Sequence, residues 1–243
     1  MNKVFTLLLA LTALITISAC GSTEDQDWLY DGYALVHGHY VGVVNIEVDE
    51  ENVVSDIWLD EYYLPYNWAR VSEDHAGADD VIEVTMRGNP VYFAKYIVIE
   101  DTLFTGEATD GYVAYTAEDI DDFYTWIDVE ENADWYVRQV QEGNFFLANE
   151  DGSESSYERV ESSSLEAMRK SESDYWRFGD LGWDGNRDKT VDALIGLNLS
   201  DEPTIERNED NIWEVNDSET GATWNDFKDY YDVILRAFNN GTD

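Results

Sequence analysis

Short apolar runs, alternating with polar residues and separated by turn-forming residues, occupy residues 31–104. One run covers residues 44–48, and the next begins at Val53 after an acidic turn sequence. Period-two alternation is typical of strands with one buried face, and a short polar break between two such runs is typical of a hairpin. Residues 81–86 and 91–99 flank a Gly-Asn-Pro turn and predict a second hairpin. This part of the chain therefore predicts an antiparallel sheet.

Helical patterns follow in the second half. The clearest is the last, where apolar residues at steps of three and four share one face; they are Trp224, Phe227, Tyr231, Ile234 and Phe238. A capping-box pattern predicts that an earlier helix begins at Thr116. Further helices are predicted over residues 134–141, 164–170 and 187–197. Strands first and helices later indicate an α+β fold, with an antiparallel sheet in the N-terminal half and helices in the C-terminal half.

The N-terminal residues predict where the protein is located. Residues 1–19 have one basic side chain, Lys3, before an apolar run that is short for a membrane span, as in a secretory signal peptide. The sequence Ile17-Ser18-Ala19-Cys20 resembles the lipobox of bacterial lipoproteins, which implies lipidation of Cys20. We expect a lipid-anchored protein on the extracytoplasmic face of the cell membrane, with residues 20–27 as a lipidated tether. A plain signal peptide with a chance cysteine is the alternative.

Composition excludes several classes of function. The chain has 53 acidic and 14 basic residues and a formal net charge of -39, so nucleic acid is not expected as a partner. Its single cysteine excludes an internal disulfide, and its three histidines form no HExxH pattern, so we expect no metal site. The hydrophobic fraction of 44% supports a packed core.

One segment points to a cofactor. Asp217-Ser218-Glu219-Thr220-Gly221-Ala222-Thr223 matches the pattern Asp-x-x-Ser/Thr-Gly-Ala-Thr of the FMN-binding domain family. That family includes flavin-carrying subunits of the sodium-pumping and Rnf-type redox complexes and surface flavin lipoproteins of extracellular electron transfer. The resemblance implies that a flavin transferase joins FMN to Thr223 by a phosphoester bond. It also implies that Asp217, Thr220, Gly221 and Ala222 belong to the cofactor-binding segment.

The resemblance extends with lower specificity over residues 134–238. It implies a β-rich part over residues 28–132 and an FMN-binding part over residues 133–243, or one enlarged domain over residues 28–243. The flavin-contacting ETPGLG-type segment of the redox-pump subunits is missing. The sequence around Thr105 to Thr109 has a glutamate inserted into a Gly-Ala-Thr pattern, so we expect a single flavin.

The residue types around Thr223 are compatible with FMN attachment but also with another role for Thr223. We expect Thr223 to be the N-cap of the last helix, where a phosphate is favoured, and we expect the small Gly221 and Ala222 to give close access to the backbone. Thr223 as a helix cap alone is the other interpretation. A carboxylate at Asp226 would count against a phosphate.

Several aromatic and histidine residues are further candidates. Trp183 and Trp176 are of the type that stacks on a flavin, or they are core aromatics. His37 and His39 are expected to share one face of a strand, as surface residues.

The resemblance implies an electron carrier rather than an enzyme with its own substrate. Covalent FMN would carry out the redox chemistry, with a membrane electron donor and an extracellular acceptor as partners. The alternative is a non-redox surface lipoprotein that binds carbohydrate or another surface ligand through exposed aromatic residues.

Overall fold

The computed structural model describes residues 30–160, 168–173 and 179–242. Its strands are β1 Tyr30–Val36, β2 Tyr40–Val48, β3 Val54–Tyr63, β4 Arg70–Val71, β5 Val81–Met86, β6 Asn89–Ala94, β7 Tyr96–Ile99, β8 Thr102–Ala108, β9 Val113–Thr116, β10 Phe145–Ala148, β11 Ile205–Arg207, β12 Trp213–Val215 and β13 Ser218–Glu219. Its α-helices are α1 Pro65–Trp68, α2 Phe123–Ile127, α3 Glu130–Glu142, α4 Gly182–Leu194 and α5 Phe227–Thr242. Short 3₁₀ turns cover Glu73–His75 and Lys170–Glu172.

The strands form four antiparallel sheets in the described part of the chain. Their strand orders are β1-β2-β3, β4-β6-β5, β10-β7-β8-β9 and β11-β12-β13. Both predicted hairpins are confirmed, because β2 pairs with β3 and β5 pairs with β6. The second apolar run is divided, however: β6 ends at Ala94, and β7 joins a different sheet with β8 and β10.

The predicted α+β class is confirmed. Sheets dominate the N-terminal half, and α3, α4 and α5 all lie after residue 129. One small sheet, β11-β12-β13, lies in the C-terminal half and includes the first part of the motif at residues 217–223.

Several predicted helix ends are wrong. Thr116 ends strand β9, and α2 begins at Phe123, where the side chain of Asp122 accepts a hydrogen bond from the Tyr124 amide. Helix α4 begins at Gly182 rather than residue 187, and α3 is longer than the predicted 134–141. Most of the predicted helix 164–170 lies outside the described residues. Local capping patterns did not locate these ends because α2 is capped by Asp122, and α3 and α4 begin after Val129 and Leu181 without a side-chain cap.

Helix α5 packs against the first two described strands. It packs across β1 and β2, and its apolar face is buried at Phe227, Ile234 and Ala237. The contact is close at Gly32 of β1, where a Cβ would lie 2.5 Å from the carbonyl oxygen of Val233. One hydrophobic core therefore includes residues from both halves of the chain. The boundary predicted at 132/133 falls inside α3.

Some predictions concern residues outside the described part of the chain. These are the signal peptide, Cys20, the tether at residues 20–27, and Trp176. None of the helices in the described ranges combines the length and the apolarity needed to cross a bilayer.

Candidate functional site

The motif at residues 217–223 begins in a two-residue turn between β12 and β13. Asn216 and Asp217 both have positive φ, at 50° and 63°, and Val215 pairs with Ser218 across the turn. Positive φ at both positions is the signature of a type I′ hairpin turn, which favours Asn and Asp. Asp217 is exposed and lies in this turn.

The middle of the motif folds back on strand β12. The Thr220 amide donates to the carbonyl of Trp213 at 2.8 Å, and the Ala222 amide donates to Thr220 Oγ1 at 3.0 Å. Gly221 has a φ of 77°, which disfavours a residue with a Cβ. Ala222 is fully buried. The two residues are therefore small because of backbone conformation and packing, and Ala222 does not provide the open access that we expected.

Thr223 is exposed on a loop whose backbone is held by helix α4. The buried Asn186 accepts hydrogen bonds at Oδ1 from the amides of Thr223, at 2.7 Å, and Trp224, at 3.1 Å. The Thr223 hydroxyl lies 3.4 Å from the same oxygen. Because helix α5 begins only at Phe227, Thr223 is not its N-cap. Both the N-cap prediction and the interpretation of Thr223 as a helix cap alone are therefore wrong.

Two cations lie against this loop in a strongly acidic chain. The Arg207 guanidinium packs 4.7 Å from the centre of the Trp213 ring and donates to the carbonyls of Thr223 and Trp224. Lys189 of α4 lies beside Gly221, because a Cβ at Gly221 would be 3.3 Å from Lys189 Cδ. Positive charge on side chains that contact this loop favours a phosphate on the loop.

A buried ion pair lies beneath the same region. Glu61 of β3 is fully buried, and its Oε2 contacts Nζ of Lys170, which is 5% exposed. Its Oε1 accepts from Trp183 Nε1 at 2.7 Å and from the Tyr230 hydroxyl. Burial opposes the charge of Glu61, but Lys170 and His37 outweigh it and hold the pKa of Glu61 well below its usual value. Burial lowers the pKa of Lys170.

His37 connects this ion pair to the surface. It lies in the β1–β2 turn with a φ of 53°, not on a strand face as expected. Its Nε2 lies 2.6 Å from the hydroxyl of Tyr230, and its Nδ1 contacts Oδ2 of Asp226. The carboxylate that counted against a phosphate is therefore paired with His37. We expected His37 to be a surface residue, but its side chain is only 17% exposed.

The contacts of His37 favour its protonated form. Tyr230 donates its own hydroxyl proton to Glu61, so its oxygen accepts from Nε2, and the carboxylate of Asp226 accepts from Nδ1. Both ring nitrogens are donors only in the imidazolium form. Burial opposes this charge, but the hydrogen bond and the charge of Glu61 prevail and raise the pKa of His37.

Two tryptophans near the motif have different environments. Trp183 is 7% exposed and is held by Glu61 and by the Arg187 guanidinium 5.0 Å from its ring, as expected of a core aromatic. Trp224 stacks on Tyr230 at 4.2 Å and 15°. Its Nε1 is buried without a hydrogen-bond partner among the described residues. Its position directly after Thr223 was the signal in the sequence, but the helical pattern assigned it to the core face of α5.

One group of side chains has the composition of a cation site. The ligand atoms of His37, Asp226 and Asp229 lie within 4.8 Å of one another. His37 Nδ1 is bound to Asp226, and the His37 amide donates to Asp229 Oδ2 at 3.2 Å. These contacts already engage His37 Nδ1, Asp226 Oδ2 and Asp229 Oδ2, and we assign no cation to the group.

The chain matches no family model, no curated protein and no solved structure. The geometry of the loop and of the buried cluster therefore has to support any functional proposal.

Proposed function

We propose that the protein is a membrane-anchored, extracytoplasmic flavoprotein that carries FMN on Thr223 and transfers electrons at the cell surface. The observation that carries the proposal is a complete flavin-attachment motif that ends in an exposed threonine on a loop held in place by the rest of the fold. Lipidation of Cys20 would provide the anchor, and a flavin transferase would be the modifying partner.

The residues around Thr223 fit the group. Asn186 occupies the backbone amides of Thr223 and Trp224, which leaves the Thr223 side chain exposed. Arg207 and Lys189 supply positive charge for a phosphate, while Asp226 is neutralised by His37. FMN, when bound, supplies reversible electron transfer.

The attachment reaction needs an oriented hydroxyl. Asn186 Oδ1 is 3.4 Å from Thr223 Oγ1, so it can accept a hydrogen bond from the hydroxyl and direct the oxygen lone pairs outward. In the transfer that the motif implies, Oγ1 bonds to the FMN phosphorus of FAD, the bond between the two phosphates breaks, AMP leaves and the hydroxyl proton is released. Asn186 is thus a positioning residue for this reaction.

The protein would pass electrons between a membrane donor and an extracellular acceptor, without a substrate of its own. The alternative, a binder of surface carbohydrate, needs exposed aromatic side chains. Within the described ranges, the exposed large hydrophobic residues are aliphatic: Val129, Val160 and Ile195.

Covalent colour tests the proposal. The full chain is produced with and without a flavin transferase, precipitated with acid, washed and redissolved in denaturant. We expect yellow absorbance that stays with the protein only after co-expression. A protein that washes colourless after co-expression with an active transferase, verified on a known flavinylated substrate, would contradict the proposal.

A further inference from the structure

The cluster of His37, Glu61, Lys170 and Tyr230 has a structure that packing alone does not require. Charges withdrawn from water are costly, and an apolar replacement of a buried ion pair is often as stable. Glu61 and Lys170 could neutralise each other within the core, yet a hydrogen-bonded path continues from Glu61 through Tyr230 to His37. The path then reaches Asp226.

The outer end of this path lies at the flavin-attachment loop. Asp226 is three residues after Thr223, and its side chain is 39% exposed. The Trp224 ring lies 6.4 Å from the His37 ring and stacks on Tyr230. His37 thus lies beneath the residue that follows Thr223, and a partly exposed carboxylate connects it to water, through which protons can exchange.

All groups that face His37 must be considered, because each affects its charge. The negative groups are Glu61 from β3, Asp226 from the loop before α5, and Asp229 within α5. Lys170 opposes protonation from the 3₁₀ turn. The neighbouring rings are those of Tyr40, Trp224 and Tyr230, and His39 lies on the same turn. Two of the three carboxylates, those of Glu61 and Asp226, contact the ring itself, which explains why the charged form is favoured.

We propose that His37 is the redox-linked proton site of this flavoprotein: it takes up a proton when the flavin on Thr223 is reduced and releases it on oxidation. This inference rests on the proposed function. Its physical basis is that electrons added near the loop make the local potential more negative, which favours an adjacent positive charge.

The step balances when a reduced carrier supplies the electrons; dithionite serves in the test. A bound flavin would accept the two electrons together with its own proton or protons from water, as free flavin does. In addition, at a pH above the pKa of His37 in the oxidised protein, one further proton would move from a buffer acid to Asp226 and from there to His37. The N–H bond forms at Nδ1, and Nε2 keeps its proton toward Tyr230. Reoxidation reverses both transfers.

The test measures the midpoint potential against pH in flavinylated protein by spectroelectrochemistry. For one extra proton per two electrons, the reduction equilibrium changes an additional tenfold per pH unit, or about 30 mV. We expect this additional slope in the wild type, over a window that begins above the ordinary imidazole pKa. It should disappear in His37→Gln. A matched control is His39→Gln, on the same turn, where the imidazole stacks on Tyr66 and burial lowers its pKa; the control should keep the slope.

A second variant, Asp226→Asn, tests the same inference if His37→Gln does not fold. Asp226→Asn removes one carboxylate from the ring and should move the window to lower pH. In protein without flavin, NMR titration should give a His37 pKa above 6.5 in the wild type and a lower one in Asp226→Asn. Coincident potential curves for wild type and His37→Gln, or a His37 pKa at or below 6.5, would overturn the inference while leaving flavin attachment intact. Failure of flavin attachment itself would show in the absorbance and would overturn the proposed function along with the inference.

Discussion

Removal of one charge from the buried pair of Glu61 and Lys170 should destabilise the fold strongly. Glu61 is fully buried and Lys170 is 5% exposed, so either single change removes the nearest opposite charge from a charged group in the core. Breaking such a pair costs about 3–5 kcal/mol, out of a typical total stability of about 5–15 kcal/mol. We therefore expect Glu61→Gln and Lys170→Met each to lose a large part of the free energy of unfolding.

The double variant separates the ion pair from general packing damage. With both charges removed, neither remains unpaired, so the double variant should lose less than the sum of the two single variants. Urea unfolding followed by circular dichroism gives the three free energies, and an unchanged m-value supports the comparison. The exposed pair of Asp134 and Arg138, 2.9 Å apart, is a matched control whose disruption should cost less than about 1 kcal/mol. If the single variants at Glu61 and Lys170 cost no more than this control, the buried ion pair does not stabilise the fold as we expect.

Three further predictions concern separate parts of the molecule. The pKa of His37 is raised in the folded protein, so protonated His37 stabilises the fold fully below its unfolded pKa of 6.5, and this stabilisation is lost as pH rises through the folded pKa. Urea midpoints measured from pH 6 to 9 should therefore fall in the wild type and change less in His37→Gln. Gly221→Val should cost about 1–3 kcal/mol because of the positive φ, whereas Gly221→Asn should cost less, since Asn tolerates that conformation; equal unfolding free energies for the two variants would exclude this reason. Cys20→Ser should release the protein from membranes or leave the signal uncleaved, and normal processing with retention on membranes in high salt would exclude the lipid anchor.

Local patterns predicted those parts of the fold that local sequence determines. The hairpin of β2 and β3 follows from alternation on either side of a turn, and its register is fixed by which face is buried. The buried face of α5 likewise follows from its spacing of apolar residues. The start of α5 could not be predicted in this way. Asn186, distant in sequence, binds the amides of Thr223 and Trp224 and keeps these residues outside the helix.

The candidate site also contains residues that the sequence could identify and residues that it could not. Thr223 and its motif are contiguous, so the sequence was sufficient to select them. Glu61, Lys170 and His37 come from a strand, a 3₁₀ turn and a hairpin turn, and only tertiary packing brings them together. The acidic residues Asp60 and Glu61, directly after the apolar pattern of β3, were a signal, because a buried charge needs a partner.

Intact mass spectrometry of protein co-produced with a flavin transferase tests whether Thr223 carries FMN. We expect one FMN less one water on the wild type, no adduct on Thr223→Val, and a normal adduct on the control Thr109→Val in the incomplete second motif. An adduct retained on Thr223→Val, or none on the wild type beside an active transferase, would contradict the assignment of Thr223.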